Sequence, residues 1–126
     1  MLLTLIDNGF VPVIAPLSHN GEGKMLNTNA DTIASSVARA LAQEQETQLI
    51  VGFELDGVLK DFNDKSSIIE SINPELFEQY KSEGIISDGM IPKLSNAFEA
   101  INAGVSSVRI CNALEVGSDL GTVISK

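Results

Sequence analysis

The chain has 126 residues, 44% of them hydrophobic and 20% charged, which sustains one domain with a proper core and is not the composition of a disordered segment. Seventeen acidic residues against 8 basic ones give a net charge of −9, which opposes a grip on nucleic acid or an anionic membrane but leaves room for a small anionic ligand in a local field. The single Cys111 cannot close an internal disulfide and fits a reducing compartment.

No apolar run reaches the roughly 18 residues of a membrane span. The opening MLLTLIDNGFVPVIAPL lacks a basic leader region and contains Asp7 and Asn8, so a cytoplasmic protein is expected. Residues 2–8 read as the end of a helix stopped by Gly9. FVPVIAP, residues 10–16, reads as a short apolar strand buried on both faces, with Pro12 at an edge or at its start. LSHNGEGKMLN, residues 17–27, reads as a loop broken by Gly21 and Gly23. A long helix begins at Asn29 and aligns Ala30, Ile33, Ala34, Val37, Ala38 and Leu41 in one stripe. QLIVGFE, residues 48–54, is the next strand, and LDGVLKDFNDK a turn-rich connection. SIIESI, residues 67–72, is a short strand or extended piece. NPELFEQYKSEG is a helix with Asn73 as cap, Pro74 at its first position and Gly84 as stop. A further helix carries Leu94, Ala97, Phe98 and Ile101 at helical spacing, with Pro92 suited to the first position and Gly104 to the stop. SSVRIC and GTVIS are the closing strands. Strands alternating with helices predict an α/β fold with a largely parallel sheet, in one domain without repeats or linkers.

Two segments break local rules. Lys93 sits in the first turn of its helix, where the positive end of the macrodipole disfavours a cation by about 0.3–1 kcal/mol. NTNAD, residues 27–31, places Asn29 as a natural N-cap and Asp31 in a first turn, and capping explains both. It does not explain Asn27, and three polar side chains with free amides at a helix N-terminus suit an anion such as a carboxylate. Helices of an open α/β sheet begin at the carboxyl ends of strands, where ligands bind, so Asp31 and Lys93 can face one crevice. An Asp there can hold a Lys, and the Lys can stabilise a transferring phosphoryl group. Neither GxxxxGK[ST] nor GxGxxG occurs. His19, the only histidine, reads as a solvated loop residue, no zinc pattern is present, and LDGVLKDFND lacks the order of a calcium loop.

NTNAD, DGVL and ISDGMIPKLSNAFEAINAGVSSVRI, in that order, resemble the carboxyl-terminal half of the acetylglutamate kinases, within the amino acid kinase family. LIDNGFVPVIAPL resembles the segment before their Asn-rich loop, so the resemblance covers essentially the whole chain. It implies a three-layer α/β/α sandwich with a mainly parallel sheet, the carbamate kinase-like fold, of which the chain would be the nucleotide-binding half. The implied activity is phosphoryl transfer from MgATP to the side-chain carboxylate of an N-acylglutamate, acetyl or succinyl, in arginine biosynthesis, with no further protein-held metal. By the same resemblance Asn27 binds the substrate's α-carboxylate, Asp31 orients the catalytic lysines, and Lys93 stabilises the transferring group. Glu54, Leu55, Asp56, Gly57, Val58 and Leu59 would run along the nucleotide, and Ile85, Ile86 and Ser87 would surround adenine and ribose.

The family's usual TDVPGVL reads FELDGVL here, with Phe53 and Glu54 in place of a hydroxyl residue and an aspartate. The family's amino-terminal half, with its first catalytic lysine, Gly-Gly pair and substrate-gripping arginine, has no counterpart among these residues. A kinase domain inactive by itself is therefore expected, with a non-catalytic regulatory or interaction module of the same fold as the alternative. A kinase of carbamate or a nucleotide suits NTNAD less well. Apolar amino-terminal elements predict a homo-oligomer.

Overall fold

A computed structural model describes residues 1–86 and 89–126. In chain order it contains α1 (Leu2–Asp7), β1 (Leu17–His19), β2 (Met25–Asn27), α2 (Ala30–Leu41), β3 (Gln48–Phe53), β4 (Ser71–Ile72), α3 (Pro74–Ser82), α4 (Ile91–Asn102), β5 (Ser107–Asn112) and β6 (Thr122–Ile124). The helices begin where local chemistry starts them. The Asn29 side chain accepts the Asp31 amide at the head of α2, and Asn73 accepts that of Leu76 at the head of α3. Among the described residues helix α4 has no such side-chain cap, and Pro92 stands at its second position rather than its first.

The main sheet has the order β3-β5-β6-β4. β3 runs parallel to β5 and β4 parallel to β6, while β5 and β6 are antiparallel, so the sheet is mostly parallel as expected. Helix α4 lies over β5 and β6 and packs against α2 and α3. Ile72, Leu94, Ile101, Val108, Ile110 and Ile124 are fully enclosed between sheet and helices. Strand alternation turns Arg109 and Cys111 to the other face, which the 113–121 segment covers. There the Arg109 guanidinium donates to the carbonyls of Leu120 and Val116 at 2.9 and 3.0 Å, so its buried charge is hydrogen-bonded.

Two expectations fail at the amino-terminal end. Residues 10–16 form no strand. Phe10, Val11 and Val13 are exposed, Pro12 and Pro16 offer no N–H, and no strand pairs with the segment among the described residues. Residues 17–27 are not an irregular loop but an antiparallel hairpin, with Leu17 opposite Asn27 and His19 opposite Met25. Gly21 and Gly23 turn it at φ +84° each, a conformation open to glycine without strain. Asn27 thus belongs to a strand.

The α2 stripe also differs from a simple core face. Ser35 and Ala38 are buried, whereas Ile33, Val37 and Leu41 are only half-buried and line an apolar groove with Pro12, Ile14 and Pro16.

Candidate active site

Strand β3 ends at Phe53, and the chain turns at its carboxyl end into residues 54–59, beside the first turn of α4, while Leu49 and Val51 of the strand neighbour the first turns of α2. The fold brings the two residues that open these helices together. Lys93 Nζ donates to Asp31 Oδ2 at 2.6 Å, and both side chains are about one-third exposed or less. Asp31 complements the dipole of its own helix, and its carboxylate neutralises an ammonium that the positive head of α4 disfavours. On another side the ammonium lies 5.5 Å from the centroid of the Phe53 ring, within reach of a cation–π contact. Among the described residues one carboxylate and one aromatic face hold the lysine, whose ammonium has three donors in all.

Lys93 borders a cavity of about 350 Å³ whose other walls are Phe53, Glu54, Leu55, Val58, Leu59, Phe62, Ile85, Ile86, Gly89 and Met90. An apolar slot with a cation at its edge suits a ligand with a flat apolar part and an anionic part. Of the nucleotide residues expected from the sequence, Glu54, Leu55, Val58, Leu59, Ile85 and Ile86 line this cavity with Lys93. Asp56 and Gly57 do not. Asp56 accepts from Asn112 Nδ2 at 3.0 Å and lies in a separate, acidic concavity with Glu70, Glu115 and Asp119. Gly57 is pressed against the sheet, where a Cβ would stand 2.8 Å from Thr122 Oγ1 and 3.0 Å from Ile68 Cγ2. Ser87 lies outside the described residues. Asn27 is exposed on β2 and borders neither of the cavities that Lys93 touches.

Sequence reasoning passed over the side chains that hold the 54–59 segment. Thr122, fully buried, accepts the Val58 amide at 2.8 Å, and Asn112 holds Asp56. Polar residues where two strands meet the loop, in SVRICN and GTVI, were the available signal. His19 Nδ1 accepts the Gly21 amide within the hairpin, away from the cavity. Among the described residues no group of three or more His, Cys, Asp or Glu side chains is placed to hold a metal ion.

The architecture is a mostly parallel α/β sheet with an acid–lysine pair across two helix heads beside an apolar slot, and sequence similarity says which class of protein carries it. The model of the amino acid kinase family matches residues 2–112, and the chain belongs to that family. It is 58% identical over 112 residues to an acetylglutamate kinase of Cytophaga hutchinsonii, covering 89% of this chain and 42% of that protein. It is 54% identical over its whole length to an acetylglutamate kinase of Bacteroides fragilis, covering 48% of that protein. The chain thus spans about half the length of these relatives. Among solved structures it superposes, with a TM-score of 0.82 and 25% identity, on an N-acetylglutamate synthase of Neisseria gonorrhoeae complexed with coenzyme A and L-arginine, covering 99% of this chain and 30% of that one.

Proposed function

We propose that this chain is the nucleotide-binding side of an N-acylglutamate kinase, which transfers the γ-phosphoryl group of ATP to a side-chain carboxylate. The observation that carries the reading is the Lys93 ammonium, held at 2.6 Å by Asp31 on the edge of the apolar cavity. In the reaction a carboxylate oxygen attacks the γ-phosphorus, the bond to the β–γ bridging oxygen breaks, and ADP leaves with an acyl phosphate formed. Charge spreads over the equatorial oxygens as the group transfers, and a fixed cation stabilises it there. Lys93 is that cation and Asp31 its positioning partner. The walls at Glu54, Leu55, Val58, Leu59, Ile85 and Ile86 receive the nucleotide. Asn27, Asp56, Gly57 and Ser87 keep the substrate and nucleotide roles implied by the family resemblance. Magnesium enters with ATP as part of the co-substrate. The acetylglutamate kinase relatives support an N-acylglutamate as acceptor and a place in arginine biosynthesis.

Titration of the chain with MgATP by calorimetry tests this. The expected result is saturable binding, and no heat at millimolar nucleotide contradicts it. The 126 residues by themselves are expected not to turn over, because they span about half the length of the relatives and the family resemblance implies further catalytic groups in the other half. Sustained ADP release at the rate of a full-length kinase would contradict that second clause.

Phe53 favours one alternative. An aromatic ring where the family carries a hydroxyl occupies one side of Lys93, as it could in a module that kept the fold without the chemistry. The solved synthase that superposes on this chain, and is not named a kinase, is compatible with that. MgATP binding separates the two readings, since the module predicts none.

Self-association completes the proposal. Phe10, Val11 and Val13 are 63%, 87% and 94% exposed, and an apolar surface of this kind rarely stays bare. Sedimentation is expected to show a dimer or larger species, and a clean monomer at high micromolar concentration contradicts it.

A further inference from the structure

The chain has five phenylalanines, and four have a place in the fold or in its exposed amino-terminal segment. Phe77 is buried against Phe98, with ring centroids 5.3 Å apart. Phe53 carries the Lys93 ammonium, and Phe10 belongs to the exposed amino-terminal segment. Phe62 is 76% exposed, so it adds little to the core, yet it borders the cavity that Lys93 touches.

Its turn is braced on both sides. Lys60 donates its amide to the Ser67 carbonyl at 2.8 Å, and Asp61 donates its own to Ser67 Oγ at 3.0 Å. The Asp61 carboxylate accepts the Asn63 amide at 2.9 Å, and the Asp64 carboxylate accepts both the amide and the hydroxyl of Ser66. A ring on a hydrogen-bonded turn loses little freedom when a ligand meets it. Apart from Phe53, already engaged by the lysine, the cavity's other walls carry no aromatic side chain among the described residues.

We infer that Phe62 is a stacking face for the base of the bound nucleotide, closing over an apolar slot whose aliphatic walls enclose the rest. The inference rests on the nucleotide reading of the cavity. Stacking accepts any flat heteroaromatic base, so Phe62 sets affinity more than base choice.

The chain contains no tryptophan, so Phe62→Trp introduces a single indole reporter. ATP is expected to quench it, and inorganic tripolyphosphate, which has no base, is expected not to. Phe62→Ala is expected to weaken ATP binding about tenfold, the scale of one lost base stack. Its melting temperature and its affinity for tripolyphosphate should match the parent's, and Phe62→Trp should retain ATP affinity. The inference is overturned if Phe62→Ala binds ATP as tightly as a parent that does bind it, or loses ATP and tripolyphosphate alike. A parent that binds neither ligand overturns the nucleotide reading itself, and this inference with it.

Discussion

Lys93 and Asp31 are 62 residues apart in sequence and 2.6 Å apart at Nζ and Oδ2, each in the first turn of its own helix. The carboxylate suits the head of α2 and the ammonium opposes the head of α4, so the pair joins one favourable placement to one unfavourable one. Asp31→Ala removes the favourable member and strands the other. With side-chain exposures of 32% for Asp31 and 26% for Lys93, the pair is neither a screened surface contact nor a buried one. A loss of about 1–2 kcal/mol in thermal unfolding is expected, between the values for surface and buried pairs. A variant as stable as the parent would contradict the coupling.

Thr122 fixes the cavity wall from below. Thr122→Val keeps the shape but removes the acceptor for the Val58 amide, which lies in a buried contact. Leaving that donor unpaired is expected to cost about 1–3 kcal/mol in urea unfolding. Thr122→Ser, which retains the hydroxyl, should recover most of it. Equal losses in the two variants would mean that methyl packing, not the hydrogen bond, holds the 54–59 segment.

Asp64 gives a pH signature at the turn that carries Phe62. The Ser66 hydroxyl, and after it the Ser66 amide, hold its carboxyl below the ordinary aspartate range. With the folded value depressed, the unfolded chain binds the proton more readily. The contribution to stability is therefore present above the ordinary value of about 3.9 and is lost as the pH falls through the lower folded value. The group is fully exposed, so solvent screens the effect. Carboxyl-carbon NMR should find the Asp64 midpoint below those of unbonded aspartates, and Ser66→Ala should raise it. An unmoved midpoint in Ser66→Ala would exclude the hydroxyl as the cause.

What was legible in the sequence was mostly what local chemistry decides. Asn29 and Asn73 cap their helices within three residues of themselves, and both helices begin where those caps place them. The apolar runs of β3 and β5 have partners that any α/β arrangement supplies. The Asp31–Lys93 pair was legible because both residues disturb or complement a helix head, and such heads gather at one edge of a parallel sheet. Residues 10–16 misled because an apolar run reads as a buried strand, while pairing depends on a neighbour that the run does not encode. The 17–27 hairpin was missed because its strands are three residues each and almost wholly exposed, so no alternation marks them. Thr122 under Val58, Asn112 on Asp56 and Phe62 at the cavity edge are contacts between segments far apart or a few turns removed. Neither spacing nor composition announces them.

The central claim is that Lys93 is held by Asp31 to meet phosphate. Calorimetric titration of the parent and of Lys93→Ala with MgATP, and with adenosine as a ligand lacking phosphate, tests it most directly. Loss of a charge-assisted hydrogen bond predicts ATP binding weaker by about 1.5–3 kcal/mol, with adenosine binding and melting temperature changed far less. Lys93→Ala binding ATP as tightly as the parent would contradict it.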